Sequence, residues 1–97
     1  MVYRDRLDAG NKLNPDNWVV IEVKYKENVR MGSSVSDRWM IYGKEATPNA
    51  TFSLQSHYTK KSSALDYAKD LAKGLKPAML KIYNKDGSLG RKHEYEA

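Results

Sequence analysis

The sequence lacks cysteine altogether and contains no long hydrophobic run. Without cysteine, the chain has no disulfide framework, no thiolate nucleophile and no cysteine-based zinc site. No apolar segment approaches the roughly 18–20 residues that a membrane-spanning helix needs, so we expect no membrane partner. The segment Met1–Arg6 lacks the apolar core of a secretory signal, and we therefore expect a cytoplasmic protein.

Catalytic and metal-binding motifs are absent as well. The two histidines, His57 and His93, lie 36 positions apart, and neither falls in a metal-type spacing. No serine stands in a nucleophile elbow, and the segment Gly87–Gly90 is too short to form a phosphate-binding loop. We therefore predict no catalytic residue, no metal, no cofactor and no small-molecule substrate, and hence a protein that is not an enzyme.

Basic residues are in excess. The 97 residues carry 17 Lys and Arg against 12 Asp and Glu, which gives a net charge of +5, and most of the surplus lies in residues 59–97. Because phosphate groups attract such a surplus, it favours a nucleic-acid partner. The alternative is a solvated surface of mixed charge that keeps a small protein soluble.

Hydrophobic alternation predicts five strands in a single domain over residues 18–97, preceded by a flexible or extended arm at residues 1–17. A loop of small residues over Met31–Asp37 separates the first two strands, and an Asp-Gly turn over Asn84–Ser88 separates the last two. The predicted strands are Trp18–Lys26, Arg38–Lys44, Thr51–Gln55, Ala78–Tyr83 and Leu89–Tyr95.

A helix follows the third strand. We expect Thr59 to cap it and Pro77 to prevent its continuation beyond the region of Gly74. Leu71 lies at the middle of its apolar stripe and is expected to be the most costly residue to truncate. The fold class is therefore α+β, with one helix packed on a four- to five-stranded, mostly antiparallel sheet in the order β-β-β-α-β-β. The apolar stripe consists of Ala64, Leu65, Ala68, Leu71, Ala72 and Leu75.

Short motifs in the later part of the chain resemble a known family. They occur in order as Trp39–Gly43, Tyr58–Lys61, Ala64, Ala68, Leu71–Ala72, Leu80–Ser88 and His93–Tyr95. Over about residues 39–95 the chain is similar to a small bacterial, archaeal and phage family, the domain of unknown function 2188. The resemblance implies a compact α+β domain with one helix and a C-terminal Asp-Gly hairpin, and it implies no activity. Residues 1–38 lie outside the pattern.

One helix covers only one face of such a sheet, so the alternation also predicts what the other face carries. We expect basic residues around an aromatic and methionine centre there. The apolar centre would include Trp18, Val20, Met40 and Met79, with Glu22 beside them. The candidate partner-binding residues are Lys24, Lys26, Arg38, Tyr42, Lys44, Lys81, Tyr83 and Lys92.

Three readings of this face follow. Nucleic-acid-binding sheets place bases on aromatic rings and phosphates on lysines, and the net charge favours this reading. A protein–protein module, such as a homodimeric accessory protein or a phage-encoded modulator of a host protein, would use the same surface. In the third reading, residues 1–17 or the small-residue loop cover the face, and its aromatic side chains belong to the core.

Overall fold

The computed structural model describes residues 18–96, so the arm predicted for residues 1–17 lies outside the described residues. Within this range, one helix and five strands follow one another in the predicted order β-β-β-α-β-β, which confirms the α+β fold class. The elements are β1 (Val19–Met31), β2 (Ser34–Lys44), β3 (Ser53–Tyr58), α1 (Lys61–Gly74), β4 (Ala78–Tyr83) and β5 (Leu89–Tyr95).

The five strands form one mixed sheet in the order β3-β2-β1-β4-β5. Strand β1 lies at the centre, antiparallel to β2 on one side and parallel to β4 on the other, whereas the β2–β3 and β4–β5 pairs are antiparallel. Parallel neighbours need a long crossover connection. Here β2, β3 and α1 together form that connection, and the chain then returns as β4 to the side of β1 opposite β2.

Strands β1 and β2 form a longer hairpin than the sequence pattern predicts. The loop predicted over Met31–Asp37 is wrong, because most of it is strand and Met31 pairs directly with Ser34. Gly32 has a φ of 63°, which a two-residue hairpin turn accepts at its first position without strain. Strand β1 also contains a bulge between Lys26 and Val29, before the turn. Asn28 in this bulge has a φ of 56°, and its amide donates to Asp37 Oδ1 at 3.0 Å.

Helix α1 begins one residue later than predicted. Lys60, and not Thr59, is the N-cap residue, and no side-chain hydrogen bond caps the first turn. The helix ends at Gly74 as expected, and the amide of Leu75 donates to the carbonyl of Ala72 at 3.1 Å. Strand β3 is also displaced, since it covers Ser53–Tyr58 where the sequence predicted Thr51–Gln55.

The core between helix and sheet is built from small helix residues and large sheet residues. Ala64, Ala68 and Ala72 are fully buried, and they meet the inner side chains of the central strands. Alanines four residues apart lie on one helix face and let the helix backbone approach the sheet closely. Leu71 is only partly buried, so the expectation that it is the most critical helix residue is not supported by its position. The buried sheet residues of this core are Ile21, Val23, Trp39, Ile41, Ala78, Leu80 and Ile82.

We predict that Leu80→Ala lowers the free energy of unfolding by about 2–5 kcal/mol, because it leaves a cavity at a fully buried site. Leu71→Ala should cost less than about 2 kcal/mol, since its side chain keeps contact with water. Urea titrations of both variants measure the difference. Equal losses would mean that the leucines of α1, and not its alanines, carry the contact with the sheet.

The turn between β4 and β5 is held by local hydrogen bonds. The amide of Asn84 donates to the carbonyl of Ser88 at 2.8 Å, and the amide of Gly87 donates to the carbonyl of Asn84 at 3.0 Å. Both the hydroxyl and the amide of Ser88 donate to Asp86 Oδ1, and these bonds lower the pKa of the Asp86 carboxyl. Gly87 has the positive φ that the Asp-Gly pair predicts, at 92°.

Replacement of Gly87 by valine should destabilise the protein by about 1–3 kcal/mol, because a β-branched residue is strained at this φ. No atom lies within 4 Å of the position where a Cβ would stand, so the loss would come from the backbone alone. Gly87→Asn serves as the control, since asparagine tolerates positive φ better. Thermal unfolding in which the two variants lose stability equally would contradict this account.

Candidate nucleic-acid interface

Ladder partners place their side chains on the same face of a sheet. Val19, Ile21 and Val23 of β1 face the helix, so the alternate residues of β1 and their partners form the opposite face. We call this surface the open face. It carries Val20, Glu22, Lys24 and Lys26 from β1, Arg38, Met40, Tyr42 and Lys44 from β2, Met79, Lys81 and Tyr83 from β4, and Lys92 and Glu94 from β5.

All eight sequence-predicted candidates lie on the open face. The register aligns Tyr42, Glu22, Lys81 and Lys92 in one row across β2, β1, β4 and β5. A second row pairs Lys26 with Arg38 towards the far end of the β1–β2 hairpin. Six cations and two carboxylates therefore share the surface, which makes it strongly basic.

The centre of the open face is buried, whereas three of its cations, Lys24, Lys26 and Lys92, are exposed and the other three are half-buried. Val20, Met40 and Met79 keep only 1%, 5% and 2% of their surface exposed. The side chain of Lys24 is 50% exposed, and Tyr42 and Tyr83 are half-buried. The accessible part of this surface consists mainly of charged groups and tyrosines. The sequence pattern placed Met40 and Met79 on the binding surface itself, but their burial leaves them little contact with a partner.

Glu22 organises the middle of the open face, a role that the sequence pattern did not reveal. Its carboxylate accepts a hydrogen bond from the Tyr83 hydroxyl at 3.2 Å and lies 3.4 Å from the Lys24 ammonium. The same ammonium stands 5.2 Å from the centre of the Tyr83 ring, within the range of a cation–π contact. Tyr83 and Lys24 are thereby held side by side. Positions 22 and 83 are far apart in the chain, so spacing alone gave no signal for this contact.

Two aromatic residues of the β3 side also reach the predicted cations. Arg38 Nη1 donates to His57 Nδ1 at 3.2 Å, and His57 is the ladder partner of Met40. The Lys44 ammonium lies 6.0 Å from the centre of the Phe52 ring, and Lys44 also borders a cavity on the helix side. The sequence analysis missed His57 because it ended β3 at Gln55, whereas the strand continues to Tyr58. It placed Phe52 within β3, whereas this residue directly precedes the strand.

Burial raises the pKa of Tyr83, and the charge of Glu22 and its hydrogen bond add to the shift. We predict that Tyr83 titrates above the ordinary tyrosine value of about 10. Because the folded state binds this proton more tightly, the resulting stability is present below the unfolded pKa and is lost as pH rises through the folded pKa. A residue-resolved NMR titration should show a lower pKa for Tyr83 in Glu22→Gln than in the parent. An unchanged pKa in that variant would remove Glu22 as a cause.

No group of three or more His, Asp and Glu side chains that could hold a metal ion occurs within residues 18–96. Helix α1, in the same part of the chain, is too short and too polar to cross a bilayer.

Comparison with known proteins finds no matching family model, no matching curated protein and no matching solved structure. The resemblance to the domain of unknown function 2188 is neither supported nor contradicted by this result, and it stays a prediction.

Proposed function

We propose that this protein is a non-enzymatic nucleic-acid-binding protein of the bacterial or phage cytoplasm, and that it binds through the open face. The observation that supports this most directly is the convergence of six cations around Tyr42 and Tyr83 on one surface. These cations are Lys24, Lys26, Arg38, Lys44, Lys81 and Lys92.

The cations would neutralise phosphates, and the tyrosine rings would stack on bases or sugars. Tyr42 and Lys81 are ladder partners of the same residue, Glu22, and so lie two strand spacings apart, roughly 10 Å. A base stacked on Tyr42 would then leave its backbone within reach of the lysines on β4 and β5. The Glu22 carboxylate would repel phosphate from the middle of the surface and direct the backbone towards the rim.

Burial of the apolar centre leaves little apolar surface for a protein interface, and it is also what the reading of a covered face predicts. The core of a protein interface is apolar, with charged residues at its rim. On the open face Met40 and Met79 are already buried, so a partner would meet lysines and tyrosines instead. The reading in which residues 1–17 cover the face concerns residues outside the described range. The small-residue loop of that reading is replaced by the β1–β2 hairpin.

We expect the parent protein to bind a mixed-sequence single-stranded oligonucleotide with an affinity that falls steeply as salt is added. Lys24→Ala, Lys44→Ala and Lys81→Ala should each weaken binding and lower the salt slope by about one unit. Tyr42→Ala should instead cost about 1–3 kcal/mol of binding free energy with little change of slope. Fluorescence anisotropy at several salt concentrations measures both quantities. Lys73→Ala, on an exposed position of α1, is the matched control and should behave as the parent.

Absence of oligonucleotide binding at low salt would eliminate the proposal. In that case sedimentation of the parent and of Tyr42→Ala would test the protein-interface reading. A shift of Tyr42→Ala towards monomer would favour a dimer. Lower folding stability without any change of association would favour a covered face.

A further inference from the structure

A second basic site lies on the other side of the sheet, between α1 and the edge strand β5. The helix packs chiefly on β1 to β4, which leaves the helix-side residues of β5 at the wall of a cavity of about 450 Å³. The cavity is lined by Lys61, Ser62, Leu65, Lys69, Ile82, Asn84, Gly90, Arg91 and His93. None of these residues belongs to the open face.

The charged lining of this cavity is entirely cationic. Lys61, Lys69 and Arg91 line the cavity, and no carboxylate does. The Lys61 ammonium stands 5.1 Å from the centre of the Trp39 ring on β2, so Lys69 and Arg91 carry the positive charge of the cavity. Lys69 stands one turn after Asp66 on the helix, yet the two form no ion pair. Within residues 18–96, lysine and arginine side chains form an ion pair only on the open face, between Lys24 and Glu22. The cations of the cavity are thus not neutralised by neighbouring acids.

The N-terminus of α1 adds to the positive potential. The first intrahelical hydrogen bond is donated by the Ala64 amide to the Lys60 carbonyl, so the amides of Lys61, Ser62 and Ser63 have no partner within the helix. No side chain caps them, and the first turn contains no acidic residue. An uncapped helix N-terminus carries a partial positive charge that attracts anions.

A ring nitrogen without a partner completes the lining. The Nε2 atom of His93 is buried and has no hydrogen-bond partner among the described residues. A buried polar atom without a partner is costly, so a ligand that forms a hydrogen bond there would remove the penalty. Leu65 and Ile82 supply an apolar wall beside these polar groups.

We propose that this cavity binds a phosphate group, held by the side chains of Lys69 and Arg91 near the N-terminus of α1. Phosphate is a dianion with several acceptor oxygens, and arginine binds it in bidentate fashion. The phosphate is either free or the end group of a small monoester. The cavity is much larger than inorganic phosphate needs, and its apolar wall would suit the organic part of an ester. The proposal does not depend on the open face.

The test is an NMR titration of the full chain at constant ionic strength with glycerol 3-phosphate, inorganic phosphate and glycerol. Saturable shifts are expected at the amides of Lys61 to Ser63 and of Arg91 and His93 with both phosphate compounds, but not with glycerol. Tighter binding of glycerol 3-phosphate would identify an ester as the ligand, and equal binding would identify free phosphate. Arg91→Ala and Lys69→Ala should each weaken binding by about tenfold or more.

Neighbouring residues provide the matched controls. Lys92 follows Arg91 on the opposite face of β5, and Lys73 is one turn beyond Lys69, outside the cavity lining. Lys92→Ala and Lys73→Ala should change phosphate affinity by less than about twofold. Lys92→Ala should weaken oligonucleotide binding instead, so the two proposals can fail separately. The phosphate site would be overturned by the absence of saturable shifts, by equal shifts with glycerol, or by full affinity in Arg91→Ala and Lys69→Ala.

Discussion

The parallel pairing of β1 with β4 is the constraint on which the rest of this fold depends. Parallel strands cannot be joined by a tight turn, so the chain must leave β1, form β2, β3 and α1, and return beside it. The pairing extends from Val19–Ala78 to Val23–Ile82 and places β1 at the centre of the sheet. Strand β1 therefore has a hydrogen-bonded neighbour on each side. Ile21 faces the helix and Val20 faces away, and neither is more than 1% exposed.

The crossover also decides what each face can do. The single described helix approaches the sheet closely through its alanines, and large sheet residues fill the space between them. The covered width of the sheet is limited, so β5 extends beyond the helix and the cavity forms beside it. On the other face the same strands present cations and tyrosines. A small domain thus acquires two basic surfaces because one helix is narrower than five strands.

The sequence predicted the sides of the sheet better than the ends of its elements. Side chains alternate strictly along a strand, so placing Ile21 and Val23 against the helix assigned Lys24, Tyr42 and Lys81 to the other face without knowledge of strand order. The ends depend on finer detail. The Gly32-Ser33 pair is a hairpin signal by itself, but the surrounding small residues suggested a long loop.

Hydrophobic alternation does not predict contacts between residues that are far apart in the sequence. The bond between Tyr83 and Glu22 depends on β1 and β4 being neighbours, which alternation does not specify. The cavity likewise needs the helix to lie beside Arg91, although the two are not close in sequence. The alanines of α1 are fully buried, whereas Leu65 and Leu71 are only partly buried. The apolar stripe of α1 contains both alanines and leucines, and the sequence pattern does not predict which of them lie closest to the sheet.

A comparison of the two edge strands, β3 and β5, indicates whether the charged residues of β5 do more than keep the protein soluble. Charged residues on an edge strand discourage pairing with other chains, and Arg91 and Lys92 could be explained in that way alone. The opposite edge does not follow this rule, since β3 (Ser53–Tyr58) contains no lysine, arginine, aspartate or glutamate and leaves Leu54 48% exposed. If edge protection were the main reason for the charges, β3 would need them at least as much. Their concentration on β5, with Arg91 towards the cavity and Lys92 on the open face, therefore favours ligand binding over edge protection.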